Sequence, residues 1–348
     1  MGVATPFRFD LAPDRVASMP PEARGLRRDQ VRLLVASPGN VVHTQFAQLA
    51  DHLVAGDLLV VNTSPTMPAA VDGFVRGRAV SVHFSSRTAR WNWTIEVRQR
   101  DNSGPVLDLH RGDVVEVECG AIALLEPAAP AGTEGVRLWR SQVAVKGGVR
   151  RYLARHGRPI RYGYVPDPWP LSAYQTVFAD DSIWPGSAEM ASAARPFSVS
   201  LVDHLRAAGV GIEPIALHAG VSSLEAHEPP PAEPFEVPRN TAAAVNRTKR
   251  SGRRVIAVGT TVTRALESVA DDDGFVSFRA GWTDLVLGPD RPGRVVDGII
   301  TGWHPPEASH LELLEAVAGR DLVTAAYEAA VGGDYLWHEF GDSCLLLP

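Results

Sequence analysis

Residues 254–267 read RVIAVGTTVTRALE, and the fold turns on them. Val255, Ile256, Ala257 and Val258 form a short apolar run of the kind a buried strand carries. Gly259 lets the backbone turn sharply. Thr260 or Thr261 is placed to cap the helix that follows, whose free N–H groups face outward with the positive end of its dipole. Such a turn receives a carboxylate or a phosphate. Arg264, one turn in, adds a fixed cationic fork. The same strand–turn–helix also occurs as plain scaffolding in α/β proteins, so it points to a fold before it points to an activity.

The segments around it alternate in the same way. Ser198 is placed to cap a helix over 199–208 that stops at Gly209. A strand over 212–217 leads into His218, Ala219 and Gly220. Asn240 or Thr241 starts a helix that ends near Gly252. A strand over 295–301 (VVDGIIT) runs into Gly302-Trp303-His304-Pro305-Pro306, and helices over 307–317 and 322–331 follow. This alternation predicts an α/β fold, a mostly parallel sheet with covering helices.

Residues 70–145 differ. Short alternating runs such as AVSVHFSS, WNWTIEVRQ and VRLWRSQVAV are separated by turn residues, with no competing helical period. They predict a small antiparallel barrel or sandwich. Leu58–Asn62 (LLVVN) reads as another buried strand ahead of it. The expected organisation is a discontinuous α/β domain, 1–68 and 150–348, interrupted by an inserted β-barrel domain, 69–149. The proline-rich stretch 228–238 (EPPPAEPFEVP) reads as an extended surface loop.

The chain has 348 residues, 45% of them hydrophobic, and a net charge of −6, so no global field draws in nucleic acid. Cys119 and Cys344 are far apart in apolar sequence and read as buried thiols in a reducing compartment. No apolar run approaches the ~18 residues of a membrane span, and residues 1–14 lack the pattern of a signal peptide. A cytoplasmic protein with no membrane contact, monomeric by preference, is the expectation.

Three chemistry-bearing signals fall at the same kind of place. His218, Gly259-Thr260-Thr261 and His304 each follow directly on a predicted strand, and in a parallel sheet all three lie along the carboxyl edge, where open α/β sheets bind ligands. His218 and His304 have no metal-ligand spacing around them, so no metal is expected. No G-x-S-x-G elbow, Walker loop or G-x-G-x-x-G is present. Asp297 reads either as a buried, paired carboxylate or as a base. Residues 146–161 (KGGVRRYLARHGRPIR) hold six basic residues and no acid. Arg150, Arg151, Arg155, Arg158 and Arg161, with tyrosines nearby, have the character of a nucleic-acid patch or of a solvated helix face. A looser cluster is Arg24, Arg27, Arg28 and Arg32.

Over nearly its full length the chain resembles the S-adenosylmethionine:tRNA ribosyltransferase-isomerase family. The resemblance rests on FRFDLAPDRVAS near the start, GDLLVVNTSPTMPA (56–69), AYQTVFA (173–179), LHAG (217–220), VIAVGTTVTRALES (255–268), VVDGIITGWHPPEAS (295–309) and the closing FGDSCLLL. It implies an α/β domain interrupted by a small barrel. It also implies S-adenosylmethionine as ribosyl donor and a 7-aminomethyl-7-deazaguanine in tRNA as acceptor. In that chemistry a base removes a proton beside the sulfonium, adenine leaves, the acceptor amine attacks, and methionine departs as an epoxide closes. The products are epoxyqueuosine in tRNA, adenine and methionine.

The chemistry of that reaction, set against these residues, suggests a donor site of Gly259, Thr260, Thr261 and Arg264, with Asn62, Thr63, Ser192 and Gly220 around it, the Thr-capped helix and Arg264 suiting the methionine carboxylate. His304 or His218, and Asp297, are the candidates for proton transfer. The chain departs from the pattern at defined places. The family's N-N-T-R becomes Asn62-Thr63-Ser64 with the arginine gone. Its A-A-P-T-A-G-L-H-F becomes EMASAARPF (189–197), so that Ser192 replaces a threonine and Pro196 a histidine. Its T-N-F-H-L-P becomes TGWHPP. These departures leave two other readings: a paralogue that uses S-adenosylmethionine with a different small acceptor or for elimination, and an inactive regulatory protein that binds it.

Overall fold

The structure, a computed structural model, describes residues 9–128, 135–221, 231–288, 290–306 and 308–348. Strands β1 (Arg32–Ser37), β2 (Asn40–Gln45) and β3 (Leu58–Asn62) begin the larger body. The chain then leaves for six consecutive strands: β4 (Ala70–Val75), β5 (Arg78–Arg87), β6 (Asn92–Gln99), β7 (Val114–Val117), β8 (Gly120–Pro127) and β9 (Leu138–Val145). It returns through α1 (Val149–His156), α2 (Val199–Ala207), β10 (Gly211–Leu217) and β11 (Glu233–Val237). Helix α3 (Arg239–Arg250), β12 (Val255–Val258), α4 (Thr260–Glu267), β13 (Arg279–Thr283) and β14 (Gly298–Gly302) come next. Helices α5 (His310–Ala318) and α6 (Arg320–Gly332) and strand β15 (Ser343–Leu346) complete it.

The larger body is a nine-stranded sheet in the order β13-β11-β10-β3-β12-β14-β15-β1-β2. Its centre is parallel, as the alternating sequence predicts: β10, β3, β12 and β14 run the same way. The sheet as a whole is mixed, because β11, β13, β2 and the β14–β15 pairing are antiparallel. At one edge the cause is local. β1 and β2 are joined through Pro38-Gly39, with Gly39 at φ +73°, and so short a connection can only reverse the chain. At the other edge part of the expected proline-rich loop is a strand. Glu233, Phe235 and Val237 are buried in alternation, which is the strand period. The rest of that loop, 222–230, lies outside the described residues.

The expected antiparallel segment is a closed barrel, β4-β5-β6-β9-β8-β7. Its core includes Val82, Phe84, Trp93, Ile95 and Trp139. Within it, fully buried Glu96 accepts from Arg98 (3.2 Å) and Arg137 (3.0 Å) and faces His83 at 3.6 Å. Burial opposes the Glu96 charge, but His83, Arg98 and Arg137 outweigh it and hold the carboxyl below its usual range. Arg98 also donates to the Asn102 carbonyl at 3.1 Å, which fixes one wall of the cavity described below.

Two details differ from expectation. Cys119 is exposed at the β7–β8 turn with φ +57°, whereas Cys344 is buried as anticipated. Helix α3 begins at Arg239, and Thr241 bonds the Pro214 carbonyl (2.6 Å) instead of capping. Ser198 does cap α2, accepting from the Leu201 N–H at 3.2 Å. Among the described residues no helix is long and apolar enough to cross a membrane.

Candidate functional site

The carboxyl ends of β10, β12 and β14 open onto one cavity of about 650 Å³, lined also by Arg98, Asn102 and Ser103 of the barrel segment. Its size lies in the range of small-molecule sites. Gly259, Thr260, Thr261, Arg264, His304, Gly220 and Ser192 all line it.

The β12–α4 turn shows why the sequence folds as it does here. Gly259 itself occupies the cap position at φ +99°, so neither threonine caps the helix as expected. The Gly259 N–H bonds the Ile300 carbonyl of β14 at 2.8 Å, and its carbonyl receives the Thr263 N–H at 3.2 Å. The N–H groups of Thr260, Thr261 and Val262 therefore precede the first helical hydrogen bond and stand at the positive end of the dipole. Gly259→Ala is expected to cost about 1–2 kcal/mol, because a Cβ is disfavoured at this φ and would sit 3.3 Å from the Ala193 Cβ. Denaturant titration measures it; an unchanged midpoint would contradict the strain.

Arg264 is buried and nearly saturated. Its Nε donates to the Leu285 carbonyl (3.0 Å), Nη2 to the Pro231 and Thr283 carbonyls (3.3 Å each), and Nη1 to Glu233. Glu233 in turn accepts from the Gly220 N–H at 2.8 Å. Burial raises the Glu233 pKa against the pull of Arg264. The arginine thus holds Glu233 and three carbonyls in place, and four of its five N–H donors are used in these bonds.

His304 stands at the end of β14. Its Nε2 lies 3.0 Å from Thr301 Oγ1, and its ring stacks on His310 at 4.5 Å and 3°. The Trp337 indole donates to the His304 carbonyl at 3.0 Å. Burial, then His310 and His338, pushes the imidazole well below its ordinary pKa, so it is neutral at pH 7. His310, His338, Glu189 and Glu339 also line the cavity, and sequence reading proposed none of them. Three lie in loops with no periodic signal; His310 sits on α5, where it reads as an ordinary first-turn residue.

Other proposed residues stand apart from the cavity. His218 lies on the same edge but turns its Nδ1 to Ser64 Oγ at 2.7 Å, and Ser64 receives Ser187 Oγ at 2.8 Å. Asn62 staples β3 to β10, donating to the Leu217 carbonyl (2.8 Å) and accepting its N–H (3.1 Å); it also reaches Thr261 Oγ1 at 3.3 Å. Thr63 donates to the Ile215 carbonyl at 3.0 Å. Asp297 is at the opposite edge, at the start of β14, where it accepts from the Val255 N–H at 2.8 Å. That is the paired reading, and Asp297 is not among the residues that line the cavity.

Helix α1 buries Val149, Tyr152 and Leu153 on one face and exposes Arg150, Arg151 and Arg155 on the other. Arg150 also stands 5.6 Å over the Trp184 ring. Arg158 pairs with Asp72 (2.8 Å), and Arg161 donates to the Val165 and Pro166 carbonyls. Of the N-terminal cluster, Arg24 bonds the Phe340 carbonyl, Arg27 and Arg28 pair with Asp29 and Glu22, and Arg32 stacks on Tyr335 at 4.0 Å. Where the β7–β8 turn meets the end of α1, Glu118, Cys119 and His156 bring their ligand atoms within 4.8 Å of one another, a grouping that sequence spacing does not reveal.

A family described as "Queuosine biosynthesis protein" matches residues 4–346. A curated relative named S-adenosylmethionine:tRNA ribosyltransferase-isomerase, from Desulfitobacterium hafniense, is 32% identical, covering 98% of each chain. One of the same name from Carboxydothermus hydrogenoformans is 34% identical over the same shares. A crystal structure titled S-adenosylmethionine tRNA ribosyltransferase, from Thermotoga maritima, superposes with a TM-score of 0.53 at 26% identity, covering 97% of this chain and 99% of that one.

Proposed function

The chain belongs to the queuosine biosynthesis protein family, and from that premise we propose that it is an S-adenosylmethionine:tRNA ribosyltransferase-isomerase. In this reading it moves and isomerises the ribosyl group of S-adenosylmethionine onto 7-aminomethyl-7-deazaguanine in tRNA, giving epoxyqueuosine in tRNA, adenine and methionine. The full-length relatives of that name favour this reaction over a small-molecule acceptor or a silent binding role.

One observation carries the reading at the level of chemistry. The open N–H groups of α4, a neutral imidazole and the buried Arg264–Glu233 pair meet in one cavity at the carboxyl edge. The start of α4, through Gly259, Thr260 and Thr261, takes the methionine carboxylate. Arg264 keeps Glu233 and the Gly220 backbone in register and offers its remaining N–H to the same substrate. His304 is the proton-transfer group, since it faces the cavity while His218 is committed to Ser64. Ser192 lines the same wall. The discontinuous α/β domain, 1–68 and 150–348, carries this donor site, and the inserted domain, 69–149, lines part of it.

The acceptor tRNA approaches from the side of α1. Its exposed Arg150, Arg151 and Arg155 supply phosphate contacts, with Arg158 and Arg161 holding the loop that follows. Arg151→Ala together with Arg155→Ala is expected to weaken tRNA binding and to flatten its log–log salt slope by about 2, roughly one per lost phosphate contact. Binding isotherms at several salt concentrations check this; an unchanged slope would move the tRNA elsewhere.

The donor half of the reading is tested by titrating the purified protein with S-adenosylmethionine in a calorimeter and analysing the mixture for adenine and methionine. Binding with little turnover until tRNA is added is the expected result. No binding at millimolar ligand would overturn it.

A further inference from the structure

A second cluster of chemically able side chains stands outside the cavity. Strands β7 and β8 join through the two-residue turn Glu118-Cys119, and this turn meets His156, the last residue of α1. Glu118 Oε2 lies 3.2 Å from His156 Nδ1. The carboxylate, the Cys119 Sγ and a His156 ring nitrogen all lie within 4.8 Å of one another. None of the three residues lines the cavity. Cys119 is exposed and holds φ +57°, a left-handed conformation that glycine or asparagine takes at lower cost. Backbone geometry therefore gives no reason for a cysteine here. Beside the cluster lies Tyr152, only 2% exposed. Its ring is 5.0 Å from the His156 ring, and its hydroxyl has no hydrogen-bond partner among the described residues. Burial, and then the charges of Glu118 and Cys119, push the pKa of that hydroxyl up to about 12. Three ligand atoms of different kinds thus stand together with an unmatched buried hydroxyl next to them.

A lone histidine–carboxylate contact at the surface is worth little, and it leaves the thiol and the tyrosine hydroxyl unused. A divalent metal ion uses all of them. We propose that Glu118, Cys119 and His156 bind zinc through Oε, Sγ and Nδ1, tying the β7–β8 turn of the barrel to the end of α1. The donor set decides the class of ion. Thiolate and imidazole suit zinc, whereas calcium and magnesium take oxygen ligands. Tetrahedral ligands at about 2.0–2.3 Å from zinc stand about 3.3–3.8 Å apart, so the cluster has to close by only about 1 Å. Glu118, with its side chain 72% exposed, has room for that move. The Cys119 thiol releases its proton to solvent as the sulfur–metal bond forms. Water takes the fourth position, with the Tyr152 hydroxyl as the polar group beside it. The ion also stands at the carboxyl end of α1, where the helix dipole favours a cation.

The test is titration of the reduced, chelator-treated full chain with cobalt(II), whose spectrum reports its ligands, followed by displacement with zinc. Wild type is expected to show a thiolate-to-cobalt charge-transfer band that saturates at one ion per chain and disappears as zinc is added. Cys119→Ser should abolish the band. Cys344, the only other cysteine of the chain, is buried and cannot supply it. His156→Ala and Glu118→Ala should each weaken cobalt binding by more than the roughly tenfold that a partner outside the ligand shell is worth. Zinc should raise the melting temperature of wild type and leave that of Cys119→Ser unchanged. Cys119 and Glu118 are exposed, so their variants probe the site in a folded chain. Cobalt bound without a thiolate band would overturn the proposal, because the ion would then sit on other side chains. Undiminished affinity in either alanine variant would overturn it too, since a single exposed thiol would then account for the binding.

Discussion

His304→Ala is expected to lower turnover by on the order of 10²- to 10⁴-fold, the usual worth of a general acid–base group, while S-adenosylmethionine still binds. The fold should survive. The hydrogen bonds of this residue with Tyr327 and Trp337 are made by its backbone, and its ring meets Thr301 and His310, which line the same cavity. The pH profile carries a second signature. Burial, then His310 and His338, holds the His304 pKa well below 6.5, so the imidazole is already a neutral base at pH 7. Activity should therefore not fall as pH drops through 6.5, and the acid limb due to His304 should lie lower. Stability follows the same sign. The folded state binds fewer protons than the unfolded one below pH 6.5, so stability is lost as pH falls from there toward the folded pKa. His310, held at about 4 chiefly by burial, contributes in the same direction. Steady-state kinetics and denaturant titration across pH 4–8 measure both, and an H304A enzyme within a few-fold of wild type would remove His304 from the chemistry.

The second large effect is on stability. Glu233→Ala is expected to cost about 3–5 kcal/mol, because it leaves the buried Arg264 charge without its partner. Arg264 and Glu233 have side chains only 7% and 9% exposed, so solvent cannot take the place of either. Removing Glu233 also frees the Gly220 N–H, and removing Arg264 frees the carbonyls of Pro231, Thr283 and Leu285. Arg264→Lys should be nearly as damaging as Arg264→Ala, since an ammonium cannot reproduce a fork that serves a carboxylate and three carbonyls. Replacing both partners with apolar residues of similar size should cost less than either single change. Urea unfolding of the singles and the double decides it; singles within about 1 kcal/mol of wild type would show that water reaches the pair.

Much of the fold was legible because its signals are local. Val255 to Val258 and Gly259 announce a buried strand and a sharp turn, and the structure has both. The barrel was legible because its strands alternate with a period of two and are split by turn residues. The mixed character of the sheet was not. The direction of β15 and the pairing of β11 with β13 depend on contacts between distant residues, and Pro234 masks a strand that only its burial pattern reveals.

The lining of the candidate site was legible where a residue sits directly after a strand. Gly259, Thr260, Thr261 and His304 all reach the cavity for that reason. The same rule also points to His218, which lies on that edge with its ring turned to Ser64, a packing outcome that no local signal carries. Asp297 sits at the wrong end of its strand, which begins three residues later than the apolar run VVDGIIT suggests. Arg264 drew attention for its charge, and Glu233, which decides how that charge is used, comes from 31 residues away. Glu189 and Glu339 lie 150 residues apart in sequence and meet only at the cavity.

The central claim is that this cavity joins S-adenosylmethionine to a modified tRNA base. Its most direct test is incubation of the protein with S-adenosylmethionine and tRNA bearing 7-aminomethyl-7-deazaguanine, followed by digestion of the tRNA and mass spectrometry of its nucleosides. Conversion to epoxyqueuosine with matching amounts of adenine and methionine is the predicted result. S-adenosylmethionine consumed while the tRNA base stays unchanged would contradict it.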